Sequence, residues 1–489
     1  MEITIQKSKN GEDTACIEGH FLHSNYAPIK EAQRFAENLS LPYTPSSIIL
    51  TEPGLSYAAD FLRQRFPEIK IGAIRYTKAF EKYNAKFDFV LNYFDHPDFE
   101  GYLENCLTEE ELLTAFFTPW TASSAIFIEE DKKTWAAIKQ ALIRAKTLLI
   151  TRQYFEKKWF LNSCHFLKTL ENIISFNQPV NKDILIISSG PSLIPFLPLI
   201  KDNRNKFFIL CLSSAISVCL KNQIIPDLCM TTDGGWWAGQ HLKPLYKNQI
   251  PLAMPSEAYC PKAILKKLSV LPLNYGDGPS AALIEASKLP AKKAVRNGTV
   301  SGTALLFAAQ YFTKNIYLCG LDMACQKGYQ HAQPNQLEFN SSLRDNRIST
   351  KALRLIRSEL TNGSLDIYKN WFISNPLNLQ NRKVYRLIEE KQKKNSLGWI
   401  QDINVAAFEN QIKALTETEP FVFKSLSLDK NLLNLKNLFS DSSKISQWKK
   451  QLFPLDYVQL AHNPSKAEVQ DKINEEWESL KSRAEKILL

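Results

Sequence analysis

The strongest constraint on what this chain can fold into lies between about residues 180 and 345. There, short apolar runs rich in β-branched residues alternate with helical segments. DILIISS, starting at Asp183, reads as a strand, and SLIPFLPLIKD follows as a short helix or turn. KFFILCLSS reads as a second strand, AISVCLKNQ as a helix and PDLCMTTD as a third strand; later TALLFAAQYF reads as a helix and NIYLCGLDM as a strand. Strands separated by helices run parallel in one sheet with helices on both faces, which predicts a doubly wound, mostly parallel, Rossmann-like α/β fold. Ligands of such sheets bind beyond the carboxyl ends of the strands, so chemistry is sought just after each apolar run.

The flanking regions differ in texture. In residues 1–145, SSIILTEPGL, AADFLRQRF and IKIGAIRY read as strand, turn, helix and strand, the start of a separate α/β domain. A further apolar run, SSAIFIEED at Ser123–Asp131, precedes the helical pattern TWAAIKQALIRAKTLLITRQYFEKKWFLNSCHFLKTLENII, whose later part supplies a helical linker over residues 146–180. Residues 181–345 hold the alternating domain. Residues 346–489 read as helical and charged, in STKALRLIRSEL, RKVYRLIEEKQKKN, SKISQWKKQLF and DKINEEWESLKSRAEKILL.

With 489 residues, 44% of them hydrophobic, each region can bury its own core, and 17 Gly and 24 Pro exclude collagen-like repeats. The net charge of +10 favours acidic small molecules or phosphates as partners without pointing to nucleic acid. Nine cysteines contain no CxxC pair and sit mostly in apolar surroundings, as buried thiols of a reducing cytoplasm do. The longest uncharged apolar stretch, between Lys206 and Lys221, is about 14 residues against the ~20 a membrane span needs. The first residues show no basic region followed by an apolar run, so no secretory signal is expected. A soluble cytoplasmic protein is expected.

Three motifs could carry chemistry. After DILII come Ser188-Ser189-Gly190-Pro191-Ser192. Gly190 permits close backbone approach and Pro191 suits a first helical position, which would leave the next amides unpaired to hold an anion, with Ser189 and Ser192 as hydroxyl donors. An ordinary strand-to-helix turn fits the same pattern. The second motif runs from Arg296: Asn297, Thr299, Ser301 and Thr303 crowd a helix start, with Gly298 and Gly302 between them. A helix cap explains one or two of these, not all of them with an Arg. The strand that follows leads to Asp322, with Tyr329 and His331 in the next loop, where a His can exchange protons near neutral pH. The third motif is IIPDLCMTTDGGWW, in which Asp227 serves the turn, Asp233 closes a strand, and Trp236-Trp237 stack on a ligand or cover the sheet edge. Neither GxGxxG nor GxxxxGK[ST] occurs. No metal site is expected, since the other histidines lack ligand spacing and no DxD is present.

In order and spacing these blocks resemble the bacterial motility-associated factor (Maf) glycosyltransferases, whose catalytic domain belongs to the 6-hydroxymethylpterin pyrophosphokinase (MptE)-like family. The resemblance rests on Ser188–Leu193, on Pro226-Asp227 with Asp233, on Val300–Ala304, and on Gly320-Leu321-Asp322-Met323-Ala324 with His331-Ala332. EPGLSYAADFL looks like that family's amino-terminal domain. The same blocks are similar to bacterial sialyltransferases of the GNGPSL type, although Ser189 stands where those have Asn and Asn340–Thr350 contains no counterpart of their base His.

The resemblance implies an inverting, metal-independent glycosyltransferase. It would move a nonulosonic, sialic-acid-like sugar from a CMP donor, its co-substrate, to Ser or Thr of flagellin, with no further cofactor. Ser189, Gly190, Pro191 and Ser192 would face the donor's phosphate and cytidine; Ser213 or Ser214 would lie by the nucleotide, and Ser301 and Gly302 by the sugar. Asp233, Arg296, Asn297 and Thr299 complete the donor-binding set. Tyr329 or His331 would stabilise the departing phosphate, and His331 or Asp322 would take the acceptor's proton. Asp322 bonding the amides of a following loop is the competing structural role. Two other functions stay open: an MptE-like diphosphokinase using ATP and a pterin alcohol, and a non-catalytic nucleotide-sugar-binding or flagellar interaction protein.

Overall fold

The computed structural model describes residues 3–96, 98–323, 331–353, 363–389, 396–428 and 437–488. The chain forms two compact units, residues 1–156 with 449–479, and residues 157–448 with 480–489.

The first unit begins with a small antiparallel sheet of β1 (Ile3–Lys7), β2 (Asp13–Ile17) and β3 (His20–Phe21). Its core is a four-stranded parallel sheet in the order β6-β5-β4-β7, from β4 (Ser47–Thr51), β5 (Lys70–Arg75), β6 (Phe89–Asn92) and β7 (Phe116–Pro119). SIILT is buried throughout, as a central parallel strand covered on both faces must be. Helix α1 (Tyr57–Arg65) follows β4 and places Arg63 and Arg65 in its last turn, where the negative end of the helix dipole favours cations. The run Ser123–Asp131 is helical: it falls in Thr121–Ile126 and in the start of the 42-residue α2 (Ile128–Thr169).

The order reverses between β4 and β7, the place where a doubly wound sheet ordinarily opens a ligand crevice. Here side chains of the same unit fill it. Glu52 and Arg75 are fully buried and paired at 2.9 Å, and Arg75 also donates to Ser56 Oγ at 2.7 Å. His23 Nε2 accepts the Leu55 amide at 2.9 Å, and Trp120 Nε1 donates to the Leu22 carbonyl at 2.8 Å. Gly54, at φ +52°, lies so close that a Cβ would stand 2.5 Å from His23 Nε2.

The second unit holds a large sheet ordered β17-β16-β15-β9-β10-β11-β12-β13-β8-β18, with β14 also on β13. The strands are β8 (Asn172–Ser175), β9 (Ile184–Ile187), β10 (Phe208–Leu212), β11 (Leu228–Met230), β12 (Leu252–Pro255), β13 (Ser269–Asn274), β14 (Lys292–Lys293), β15 (Ile316–Cys319), β16 (Val384–Leu387), β17 (Gln401–Ile403) and β18 (Lys424–Leu426). Neighbours run parallel except β18, which is antiparallel to β8. β9 is fully buried, with Ile184 in register with both Phe208 and Ile316. The α/β class and mostly parallel sheet expected from the alternation are as observed.

Two local expectations are corrected. The helical pattern ending in LENII stops at Thr169, and Asn172–Ser175 is a strand. VYRL of RKVYRLIEEKQKKN is also a strand rather than helix, carrying the sheet past residue 345. The charge that made this segment look like a solvated helix is internal: Arg386 is buried and bidentate on Asp402, at 2.7 and 2.8 Å. Helices Ser442–Leu452, Pro454–His462 and Ala467–Leu488 follow the charged periodic pattern near the end of the chain. No helix among the described residues is long and apolar enough to cross a membrane.

Candidate functional site

Chain order proceeds from β9 through β13 on one side and then jumps to β15 on the other side of β9. The carboxyl ends of β9 and β15 are therefore the switch point of this sheet. A cavity of about 220 Å³ lies there, lined by Ser188, Ser189, Gly190, Ser214, Ser301, Asp322 and His331, with Leu212, Val300, Leu321, Met323 and Leu365 as apolar wall. Six expected site residues from four separate segments thus share one cavity.

The first wall is the turn after β9. The Gly190 amide donates to the Gly320 carbonyl at 2.8 Å, and a Cβ on Gly190 would come within 2.6 Å of Asp322 Cγ. No larger residue fits. Pro191 opens a 3₁₀ turn over Pro191–Phe196, as expected. The unpaired amides expected beyond it are not present. The Ser192 amide donates to Asp322 Oδ2 at 3.0 Å, its hydroxyl donates to Asp322 Oδ1, and the Leu193 amide bonds the Gly190 carbonyl at 3.1 Å. The anion held by this turn is the chain's own carboxylate. Ser192 is completely buried and bonded to Asp322, which also borders the cavity.

The second wall is the start of α3 (Val300–Tyr311). Thr299 caps it, its Oγ1 accepting the Gly302 amide at 3.0 Å, while Asn297 Oδ1 accepts the Thr299 amide at 3.0 Å. A Cβ on Gly302 would run into Asn297, which explains the glycine. Asn297, Thr299 and Gly302 therefore build the cap, and Ser301, whose hydroxyl donates to Thr299 Oγ1 at 3.1 Å, lines the cavity.

The third wall comes from the segment after β10 and from residues 331–342. Ser214 reaches the cavity; Ser213 is buried and turned to Thr231 Oγ1 at 3.4 Å. The Ala332 amide donates to the Ser189 carbonyl at 2.6 Å, placing His331 across from the Ser-Gly turn. His331 Nδ1 is 3.4 Å from Glu338 Oε1, and its ring centroid is 6.3 Å from that of His241. Burial, then the nearby His331, lowers the His241 pKa to about 4. Asn335 caps helix α4 (Gln336–Ser342) through Oδ1, on the Leu337 and Glu338 amides, and its Nδ2 donates to the Ser214 carbonyl at 3.0 Å.

Two expected donor-binding residues lie elsewhere. Arg296 is bidentate on Glu257 at 2.7 and 2.9 Å, meets Asp277 at 2.8 Å, and stacks on the rings of Trp159 and Tyr275. Burial opposes its charge, but the bonds from Glu257 and Asp277 outweigh that and raise its pKa. With two carboxylates on it, this guanidinium is not a free phosphate ligand. Asp233 stands three residues beyond the end of β11, exposed, accepting the Gly235 amide at 2.8 Å. Trp236 and Trp237 are both about half exposed. Tyr329 lies outside the described residues.

Buried Cys211, Cys229 and Cys319 have thiols pushed up by burial, as core cysteines do. Among the described residues no three His, Cys, Asp or Glu side chains gather as a metal site.

Residues 157–328 match the model of the family described as 6-hydroxymethylpterin diphosphokinase MptE-like. Over that stretch, about a third of its length, the chain is similar to this family. The matched stretch includes the cavity walls from Ser188 to Met323, and His331 lies just beyond it. An uncharacterized protein of Treponema pallidum (strain Nichols) is 32% identical over 282 residues, which are 56% of this chain and 61% of that protein. A solved structure described as a MAf glycosyltransferase from Magnetospirillum magneticum AMB-1 superposes with a TM-score of 0.50 at 11% identity, covering 99% of this chain and 90% of that one. At that identity the likeness concerns the fold.

Sequence reasoning missed Asn335, Glu338 and His241 beside the cavity. Asn335 with Glu338 three residues on is a capping pattern, so the sequence carried a signal for that helix start. His241 carried none: only the approach of the segment after β11 brings it to His331.

Proposed function

We propose that this protein is an inverting glycosyltransferase that moves a nonulosonic sugar from a CMP donor to Ser or Thr hydroxyls of flagellin. The observation that carries this reading is the shared switch-point cavity of the Ser-Gly turn, the Ser301 helix start and His331. The fold-level likeness to the MAf glycosyltransferase supports it. Hydroxyls and aliphatic side chains around about 220 Å³ suit a nucleoside or sugar portion better than a whole nucleotide, so the phosphate would lie towards His331. In the reaction the acceptor hydroxyl attacks the anomeric carbon, the bond to the donor phosphate breaks, and the configuration inverts. The hydroxyl proton passes to a base, and no cofactor enters the scheme. With Asp322 engaged by Ser192, His331 is the titratable side chain among the described cavity residues left to serve the reacting groups.

The matching family model favours a second reading, a diphosphokinase acting on a pterin alcohol with ATP. Isothermal titration of the full chain with CMP, ADP and ATP separates the two. Binding of CMP but not of the adenine nucleotides is expected, and tight ATP binding without CMP binding would replace the first reading by the second. If none of the three binds, a non-catalytic role follows, and mass analysis of flagellin from a deletion strain tests it.

A further inference from the structure

The solvent side of a surface helix ordinarily carries the charge that its buried side excludes. In the first unit α2 departs from this rule. Ile138, Ala141 and Ala145 pack into that unit's core, with Thr134 and Leu149 buried on the same face. At about 3.6 residues per turn, the opposite side of the helix belongs to Ala136, Gln140, Ile143, Thr147 and Ile150. All five are exposed and none is charged, and Ile143 and Ile150 leave about half of their surface in water, 52% and 50%. They stand four, three, four and three residues apart, the spacing of a coiled-coil seam. At about 1.5 Å per residue the seam is about 21 Å long.

Charge borders this seam, and all of it is positive. Between residues 132 and 152 the helix has six basic residues and no acidic one. Lys139 and Lys146 precede the seam residues Gln140 and Thr147 on one flank, and Arg144 follows Ile143 on the other. Arg144 is held by Glu100 and Glu104, whereas among the described residues no carboxylate pairs with Lys139 or Lys146.

These flanks decide among the possible occupants. A second copy of the helix would set Lys139 against Arg144 in a parallel pair, or lysine against lysine in an antiparallel one, and like charges so placed repel. A membrane surface takes a broad apolar face of large side chains, and this one is a single seam interrupted by Gln140 and Thr147. A helix with its own apolar seam and acidic flanks satisfies both the spacing and the charge. We propose that this face of α2 docks an acidic amphipathic helix of a partner protein, apolar where it meets Ile143 and Ile150 and carrying Glu or Asp where it meets Lys139 and Lys146. The proposal stands whether or not the nucleotide reading above holds.

The test uses the full chain and labelled peptides of three heptads with Ile and Leu at the seam positions. One peptide carries Glu on both flanks, which also keeps it from pairing with itself. A second carries Lys there, and a third keeps the Glu but has Ser throughout its seam. Fluorescence anisotropy should show the first binding at roughly micromolar concentration, more weakly as salt is added, and the other two at least about tenfold more weakly. Ile143→Ser with Ile150→Ser should weaken the first peptide about tenfold to a hundredfold at an unchanged melting point, because both side chains stand half outside the core. Lys139→Glu with Lys146→Glu should reverse the choice, losing the Glu peptide and gaining the Lys peptide; a merely structural role for the lysines would lower the melting point without that reversal. The proposal is overturned if the Glu peptide does not bind, if it binds equally well without its apolar seam, or if its binding ignores the two isoleucines. A dimer in sedimentation that Ile143→Ser with Ile150→Ser dissolves would give the seam to a second copy. Binding to phosphatidylglycerol vesicles lost in the same variant would give it to a membrane, and either result overturns the acidic helix.

Discussion

Replacing Asp322 separates a structural carboxylate from a catalytic one. Its oxygens accept the Ser192 amide at 3.0 Å and the Ser192 hydroxyl, in a place where Ser192 is completely buried and Asp322 nearly so. Asp322→Ala removes both acceptors and strands a buried amide, which costs about 1–3 kcal/mol, and loses charge-assisted bonds of about 1.5–3 kcal/mol. The two effects overlap, so the expected destabilisation is about 3–5 kcal/mol. For a unit of this size each kcal/mol moves the melting point by roughly 2 °C, giving a drop of about 6–10 °C. Asp322→Asn keeps one acceptor for the amide, and its NH₂ can donate to the Ser192 hydroxyl once that hydroxyl turns. It should lose only about 1–2 kcal/mol and keep most donor turnover. The assay pairs thermal unfolding of the transition belonging to residues 157–448 with donor turnover on the same samples. A catalytic aspartate gives the opposite pattern: Asp322→Asn melts like wild type and turns over ~10²–10³ times more slowly. That result would refute the assignment of Asp322 to the turn.

Three further outcomes are expected. Arg75→Met leaves Glu52 buried without its partner and should destabilise the first unit by about 3–5 kcal/mol, read by chemical denaturation; a loss under 1 kcal/mol would mean the pair is dispensable. Gly190→Ala drives a methyl group against the Gly320 carbonyl and Asp322, which should cost about 1–3 kcal/mol and weaken nucleotide binding, whereas unchanged melting and affinity would show the turn to be looser than described. Burial, then Arg75, lowers the His23 pKa from 6.5 to about 3, so the unfolded chain takes up this proton first; the stability is complete above pH 6.5 and is lost as pH falls from 6.5 towards 3. A denaturant-midpoint series against pH should show that slope in wild type and a flatter one in His23→Gln, and equal slopes would remove His23 from the account.

How far the fold could be read depended on how each strand is flanked. β4, β5, β9, β10, β11 and β15 stand out because a short apolar run follows a turn and precedes a helical pattern. β8 did not, because only two residues part it from the end of α2 and the helical pattern ran through it. β16 was hidden differently. An Arg in VYRL marks a segment as solvated unless a carboxylate waits inside, and Asp402 lies sixteen residues later on the neighbouring strand. No local pattern encodes that pairing.

The site shows the same limit at longer range. A strand ending in Ser-Gly-Pro-Ser predicts a helix start with free amides, and local physics supports it, since nothing within several residues can satisfy them. The partner that does so, Asp322, is 130 residues away in sequence and arrives because β15 lies directly beside β9. The same neighbour relation that brings Asp322 to the amides puts Gly320 against Gly190 and holds the two loops together. The turn therefore closes one wall of the cavity, and positive charge must come from elsewhere. Arg296 does not supply it, because Glu257 and Asp277 hold it. The helix-start amide and the guanidinium that the sequence offered to an anion are thus both engaged by carboxylates of the chain itself.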